Sequence, residues 1–278
     1  MYRLIALDVD GTLLDSQHRL APEVRNAVLQ AQEEHGAIVC LATGKLLAAV
    51  HDLTTALHLT GPQITCNGAA LMDVATDEAM RFWPIDSTTR DVTLAAIREI
   101  APDQAIAWYT TNAIYTDAAP GPLDNILAAY HEPALHHVTR LDDQLPPALK
   151  LLMTGDPVHL ALLRDQLVAR LGALATVMRT TAEFVEIISP NISKGTALSA
   201  LARRLSIAQP EIVAIGDGEN DLPLFEAAGV GIAMANAMPE LKRRAHAMTT
   251  SADERGVAHA LTALGLANEG DASHLRWI

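Results

Sequence analysis

The sequence predicts an α/β fold in two parts, a parallel-sheet core and an inserted α+β segment. Three observations lead there. Over the first third of the chain, short apolar runs alternate with stretches of helical spacing. That rhythm breaks after Pro84 and returns after Pro190. Four segments rich in Asp, Asn or Gly each follow directly on an apolar run. Strand–helix–strand order of this kind builds parallel sheets.

Leu4–Leu7 reads as a buried strand that ends in acidic residues. Pro22 to His35 has helical spacing, with proline suited to the first turn and Gly36 to the stop. Ala37–Ala42 is the second strand, closed by Thr43-Gly44, and a helical stretch runs on to about Leu57. Gln63–Cys66 is the third strand and ends at Asn67-Gly68. Beyond Pro84 the pattern mixes helices with hairpins. Thr88–Ile100 and Pro157–Leu171 read as helices. Ala105–Tyr109 with Ala113–Tyr115, and Thr176–Met178 with Phe184–Ile188, read as paired strands, and Leu149–Met153 as one more. The α/β rhythm then resumes with helix Gly195–Leu205, strand Ile212–Ile215, helix Asp221–Ala228, strand Val230–Ala233 and a short helix Pro239–Ala245. The polar tail from Asn268 is expected to be loosely held, with Trp277 and Ile278 as docking groups. The expected division is a discontinuous core, 1–84 and 189–278, around an inserted domain, 85–188.

A chain of 278 residues, half of them hydrophobic, accommodates two such units. Aromatics make up only 4%, so Ala, Leu, Val and Ile must carry the packing. The formal charge is −13 and no basic face is evident; Lys242, Arg243 and Arg244 read as one solvated helix face. That argues against a nucleic-acid or anionic-membrane partner. No apolar run reaches the roughly 18 residues of a membrane span. The residues before Asp8 do not make a signal peptide, and a cytoplasmic monomer or homodimer is the expectation. Cys40 and Cys66 lie in apolar runs and read as small buried residues.

The chemistry lies in the segments after the strands: Asp8-Val9-Asp10-Gly11-Thr12, Thr43-Gly44-Lys45, Asn67-Gly68, and Gly216-Asp217-Gly218-Glu219-Asn220-Asp221. In open parallel sheets the ligand crevice lies beyond the carboxyl ends of the strands, so these four segments are expected to meet. Asp8, Asp10, Asp217 and Asp221 would then crowd carboxylates into a small volume, which calls for a cation. A hard divalent ion with oxygen ligands, such as Mg²⁺, meets that need, and Lys194 would add one further positive charge. Taken singly, each Asp could merely cap a helix or shape a turn. Two acidic clusters, each at a strand end and each with glycine, argue instead for a shared site. An EF-hand fails on spacing, because Glu219 and Leu222 stand where Asp/Asn and Gly are needed. Neither a Walker-type phosphate loop, a Gly-x-Gly-x-x-Gly turn nor a Gly-x-Ser-x-Gly elbow is present. His136-His137 reads as part of a solvated loop, since adjacent residues on a strand face opposite ways.

Asp8-Val9-Asp10-Gly11-Thr12-Leu13-Leu14 resembles the first signature of the haloacid dehalogenase superfamily of phosphatases. Thr43 resembles the second, Lys194 in Ser193-Lys194-Gly195 the third, and Gly216 to Asp221 the fourth. The order is right, and the large insertion falls between the second and third, as in the Cof-type subgroup. Asn67-Gly68-Ala69 and Gly231 to Asn236 also resemble that subgroup. The resemblance implies a Rossmann-like core with a cap domain that closes over the site, and a small phosphorylated metabolite as substrate.

It also implies roles. Asp8 would be the nucleophile and form an aspartyl-phosphate, and Asp10 would serve as general acid and then base. Thr43, with Gly44, Lys45, Asn67 and Asn220, would contact phosphoryl oxygens or metal-bound water. Lys194 would offset charge. Mg²⁺ would be held by Asp8, by the backbone carbonyl of Asp10 and by Asp217, with Asp221 acting through water or as an orienting group. Two departures stand out. Lys45 replaces a common Arg, and either holds phosphate less rigidly or lies on the surface. Ala252 stands ahead of Asp253-Glu254 where Asn is common. Trp108, Tyr109 and Tyr115 either line the substrate pocket or belong to the cap core. A phosphomutase and a non-catalytic phosphometabolite sensor are the alternative readings.

Overall fold

The computed structural model describes residues 2–278. In chain order the first core segment comprises β1 (Leu4–Leu7), α1 (Pro22–Glu33), β2 (Ile38–Leu41), α2 (His51–Ala56), β3 (Pro62–Thr65), β4 (Ala70–Asp73) and β5 (Glu78–Phe82). The middle segment carries α3 (Ser87–Ile100), β6 (Ile106–Tyr109), β7 (Ile114–Thr116), α4 (Pro122–Ala129), β8 (His136–His137), β9 (Lys150–Thr154), α5 (Pro157–Leu171), β10 (Thr176–Thr181) and β11 (Phe184–Ile188). The last segment carries α6 (Lys194–Leu205), β12 (Ile212–Gly216), α7 (Leu222–Ala227), β13 (Val230–Ala233), α8 (Pro239–Arg244), β14 (Ala247–Met248), α9 (Gly256–Ala263) and β15 (Arg276–Trp277).

The core sheet has the order β15-β14-β13-β12-β1-β2, parallel except for the β14–β15 pair. β1 and β12 are buried along their whole length, as strands covered on both faces must be. β3 does not join this sheet as a paired strand but meets it through a parallel bridge between Ala42 and Ile64 and through the Leu41 N–H, which donates to Gln63 Oε1 at 2.7 Å. It then turns into an antiparallel sheet with β4 and β5, where a purely parallel continuation had been expected. The tail is held more firmly than its polarity suggested: β15 pairs with β14, although Trp277 and Ile278 themselves stay exposed. His136 and His137 form the short strand β8 beside β7 and not a free loop, and His137 bonds Asp124 and the Ala118 carbonyl.

The middle segment forms a second six-stranded sheet, β10-β11-β9-β6-β7-β8. Its side chains divide by the two-residue period of a strand. Ile106, Trp108, Leu151, Met153, Val185 and Ile187 face a core built with α3 and α5. The alternate residues Tyr109, Leu152 and Phe184 pack toward the core sheet's side instead. Helix ends are fixed locally: Asp86 caps α3 by accepting from the Thr89 N–H at 3.0 Å, and Asp156 caps α5 through Val158 and His159 at 3.0 Å each. Among the described residues, no helix is long and apolar enough to cross a membrane.

Candidate active site

The carboxyl ends of the core strands meet as the topology requires. Asp8 follows β1, Thr43 follows β2 by two residues, Asn67 follows β3, and Asp217 follows β12. Lys194 opens α6, whose N-cap Ser193 accepts from the Thr196 N–H at 3.2 Å. The turn at Cys66, Asn67 and Gly68 has three successive left-handed residues. At Gly68 a Cβ would lie 2.1 Å from the Ser193 carbonyl, so only glycine lets the start of α6 come this close.

Lys194 is the electrostatic centre. Its Nζ donates to Asp8 Oδ1 and to Asp221 Oδ1, each at 2.7 Å, and the lysine is buried. Burial pushes the ammonium toward the neutral form, but Asp221 and Asp8 outweigh it and hold Lys194 protonated. Burial also pushes Asp8 well above the usual carboxylate range, helped by Asp221 and opposed by Lys194. Asp217 rises to about 6, first through burial and then through repulsion from Asp221.

Asp217 is fixed from both sides. Thr12 Oγ1 donates to its Oδ1 at 3.0 Å, and Asn236 Nδ2 donates to its Oδ2 at 3.2 Å and to the Gly11 carbonyl at 2.7 Å. Gly11 has φ +76°, and a Cβ there would meet Asp217 Oδ2 at 2.5 Å. The second oxygen of Asp221 accepts from the N–H groups of Asp217 and Gly218 at 3.0 Å each. One carboxylate oxygen from each of Asp8, Asp217 and Asp221 lies within 4.8 Å of the others. The Asp10 carboxylate is not in that cluster. It faces Lys45 Nζ at 2.9 Å and His18 Nδ1 at 3.3 Å. Lys45 is buried, which removes the surface reading.

A cavity of about 150 Å³ opens over Asp8, Asp10, Thr43 and Lys45. Its far wall is charged and comes from the second sheet. Lys150 Nζ donates to Glu186 Oε2 at 2.9 Å and to the Gly44 carbonyl at 2.7 Å. Asn67 Nδ2 donates to the same Glu186 oxygen at 2.7 Å, while Asn220 Nδ2 donates to Asn67 Oδ1 at 2.9 Å. Asn67 thus ties the end of β3 to the second sheet, and Asn220 holds Asn67. Tyr109 lines the cavity, Trp108 lies in the core that the second sheet builds with α3 and α5, with its Nε1 donating to the Pro146 carbonyl, and Tyr115 packs beside that core. Glu132, Lys150 and Glu186 were missed from the sequence. The available signal was a lone charge inside an apolar strand, as in Lys150-Leu151-Leu152-Met153 and Phe184-Val185-Glu186-Ile187-Ile188.

Residues 5–261 match the model of the haloacid dehalogenase-like hydrolase family. The chain belongs to that family. Within it the chain is a Cof-type phosphatase. YxeH of Bacillus subtilis, whose phosphatase name is itself provisional, is 32% identical over 272 residues, 96% of this chain and 100% of that protein. The HMP-PP phosphatase of Serratia proteamaculans is 30% identical, covering 87% of each chain. A solved haloacid dehalogenase-like hydrolase from Bacteroides thetaiotaomicron superposes with a TM-score of 0.82 at 29% identity, over 95% of this chain and 100% of that one. Asp8, Thr43, Lys194 and Asp217, whose segments resemble the superfamily's signatures, all fall within the matched span.

Proposed function

We propose that this haloacid dehalogenase-type phosphatase is magnesium-dependent and hydrolyses a small phosphomonoester, such as a sugar phosphate, through an aspartyl-phosphate on Asp8. The observation that carries the proposal is the buried Lys194 ammonium held 2.7 Å from Asp8 Oδ1 at the floor of the cavity. A lysine there neutralises the nucleophile and, during transfer, the phosphoryl group.

The donor set fits a hard divalent cation. Three carboxylates with oxygens within 4.8 Å share one ammonium, and Asp8 and Asp217 are raised by burial and mutual repulsion. Asp8 and Asp217 would hold Mg²⁺ through side-chain oxygens, Asp10 through its backbone carbonyl, and Asp221 through water or by orientation. When bound, the ion supplies charge neutralisation at the phosphoryl oxygens.

The chain's own residues divide the remaining work. Lys194 holds Asp8 Oδ1, which leaves Asp8 Oδ2 to attack phosphorus. Asp10 donates its proton to the leaving oxygen and then takes one from the hydrolytic water. The Thr43 hydroxyl, which accepts from the Lys45 N–H at 3.1 Å, positions a phosphoryl oxygen together with nearby N–H groups. Gly44 and Lys45 complete that wall, and Asn67 and Asn220 orient it. Residues 85–188 act as the cap that excludes water. The cavity, about 150 Å³, is below the roughly 300–1,000 Å³ of drug-sized pockets, which favours a compact substrate.

Phosphate release from a panel of phosphorylated metabolites tests the reading, with Mg²⁺ or chelator, for wild type and Asp8→Asn. Activity should need the metal and collapse in the variant. Equal release by both proteins would remove Asp8 as the nucleophile.

A further inference from the structure

The cavity wall opposite Asp8 holds more hydrogen-bonding groups than the catalytic reading uses, and most of them are already satisfied. Glu186 accepts from Lys150 and Asn67 at Oε2 and from Thr180 Oγ1 at Oε1, 2.7 Å away. Lys150 spends two of its three donors on Glu186 and the Gly44 carbonyl, and its Nζ stands 4.0 Å over the Tyr109 ring. Lys45 is taken up by Asp10. Neither lysine is left facing the cavity as a free anion receptor.

Two groups are unspent. Among the described residues Glu132, only 9% exposed, accepts at hydrogen-bond distance only from the Leu46 N–H, at a long 3.4 Å. Among the described residues the hydroxyl of Tyr109, a fully buried residue, meets no partner at hydrogen-bond distance and angle, and burial together with the neighbouring Glu132 carboxylate keeps it protonated. A buried carboxylate and a buried phenol left open in this way are costly unless a ligand completes them. Both line the same cavity, beside the apolar side chains of Leu127, Leu152 and Phe184. Pairing the charges on this wall, Lys45 with Asp10 and Lys150 with Glu186, leaves Glu132 as the surplus carboxylate.

We propose that Glu132 and Tyr109 form the specificity site for the leaving group, and that they select a phosphomonoester whose non-phosphate part presents a hydroxyl or amino donor on a compact apolar frame. The inference rests on the phosphatase reading above and narrows it. A second phosphate or a carboxylate on the substrate would face Glu132 with no free cation to receive it, so bisphosphates and phosphorylated acids are disfavoured. A donor substituent gives Glu132 a charge-assisted hydrogen bond and leaves the Tyr109 hydroxyl free to donate or accept.

The test uses the full-length protein with Mg²⁺, above the pH of about 7 at which Glu132 ionises, and straight-chain phosphate esters ending in methyl, hydroxyl, ammonium or carboxylate, over a series of chain lengths. The readout is the ratio of kcat/KM between end groups at matched length. At the best length, hydroxyl or ammonium ends should exceed methyl by about 10- to 100-fold, the value of a hydrogen bond to a charged group. Carboxylate ends should fall below methyl. Glu132→Leu should bring the donor-to-methyl ratio to within about 3-fold. Glu132→Gln, which keeps the shape, should lose the ammonium preference first and part of the hydroxyl preference. Calorimetric binding of the same esters to Asp8→Asn gives the selectivity independently of turnover. A wild type that treats all four ends alike, or a Glu132→Gln ratio equal to wild type, would overturn the assignment. Failure of wild type to hydrolyse p-nitrophenyl phosphate would instead count against the phosphatase reading, and the binding series would still decide the role of Glu132.

Discussion

Asn67 Nδ2 donates to Glu186 Oε2 at 2.7 Å, so one amide joins the end of β3 to the second sheet. Asn67→Asp keeps the size and suits the same left-handed backbone, but sets a carboxylate against Glu186. The two halves should separate more readily. We predict a rise in KM of about 10-fold or more with a smaller change in kcat, read by steady-state kinetics. An unchanged KM would show that this contact does not hold the second sheet against the end of β3.

Lys194→Met removes the single cation shared by Asp8 and Asp221. Breaking a buried pair of this kind costs about 3–5 kcal/mol. Urea unfolding in chelator should show that loss, and Mg²⁺ should restore part of it by binding the folded state. Turnover should drop by about a thousand-fold or more. A variant as stable as wild type in chelator would contradict the electrostatic account.

Asp10→Asn separates the two half-reactions. With p-nitrophenyl phosphate the leaving group needs little protonation, so phosphorylation of Asp8 should proceed while hydrolysis stalls. Acid-quenched protein should then carry one extra phosphoryl group by mass. Wild-type turnover in the folded variant would show that Asp10 is structural only.

Glu132 sets a pH dependence of stability. Burial raises it from 4.5 to about 7, against the pull of Lys150, the Leu46 N–H and Lys45. Between those values the folded chain keeps a proton that the unfolded chain has released. Its contribution is therefore present below 4.5 and is lost as pH rises through about 7. The span corresponds to roughly 3 kcal/mol. Glu132→Gln is neutral throughout, so wild type should lose stability relative to it between pH 4.5 and pH 8 in urea titrations. Parallel stability curves for the two proteins would refute the shift.

The floor of the candidate site was legible because its residues obey two local rules at once. β1, β2 and β12 are continuous apolar runs, and each stops at a polar residue that has no packing role. α5 was readable to the residue, with proline at its start and Gly172 at φ +53° after its end. The β4–β5 hairpin escaped because β5 is half exposed and does not alternate. β8 has two residues, too few to carry a period. The far wall escaped for a different reason. Lys150 and Glu186 lie on paired strands that are far apart in sequence, Glu132 lies in the loop after α4, and only the fold brings the three to one wall.

The position of β1 has a consequence during synthesis. It lies between β2 and β12, with Leu4 opposite both Ile38 and Ile212. One flank is available within the first few dozen residues, whereas the other waits for the whole inserted segment. At about 5–20 residues per second, translation leaves that flank unpaired for roughly ten seconds or more. The nascent chain meanwhile carries an apolar edge open to wrong partners, and Asp8 stands beside it without Lys194. Co-translational chaperone demand should accordingly peak before Ile212 leaves the ribosome and fall once β12 docks.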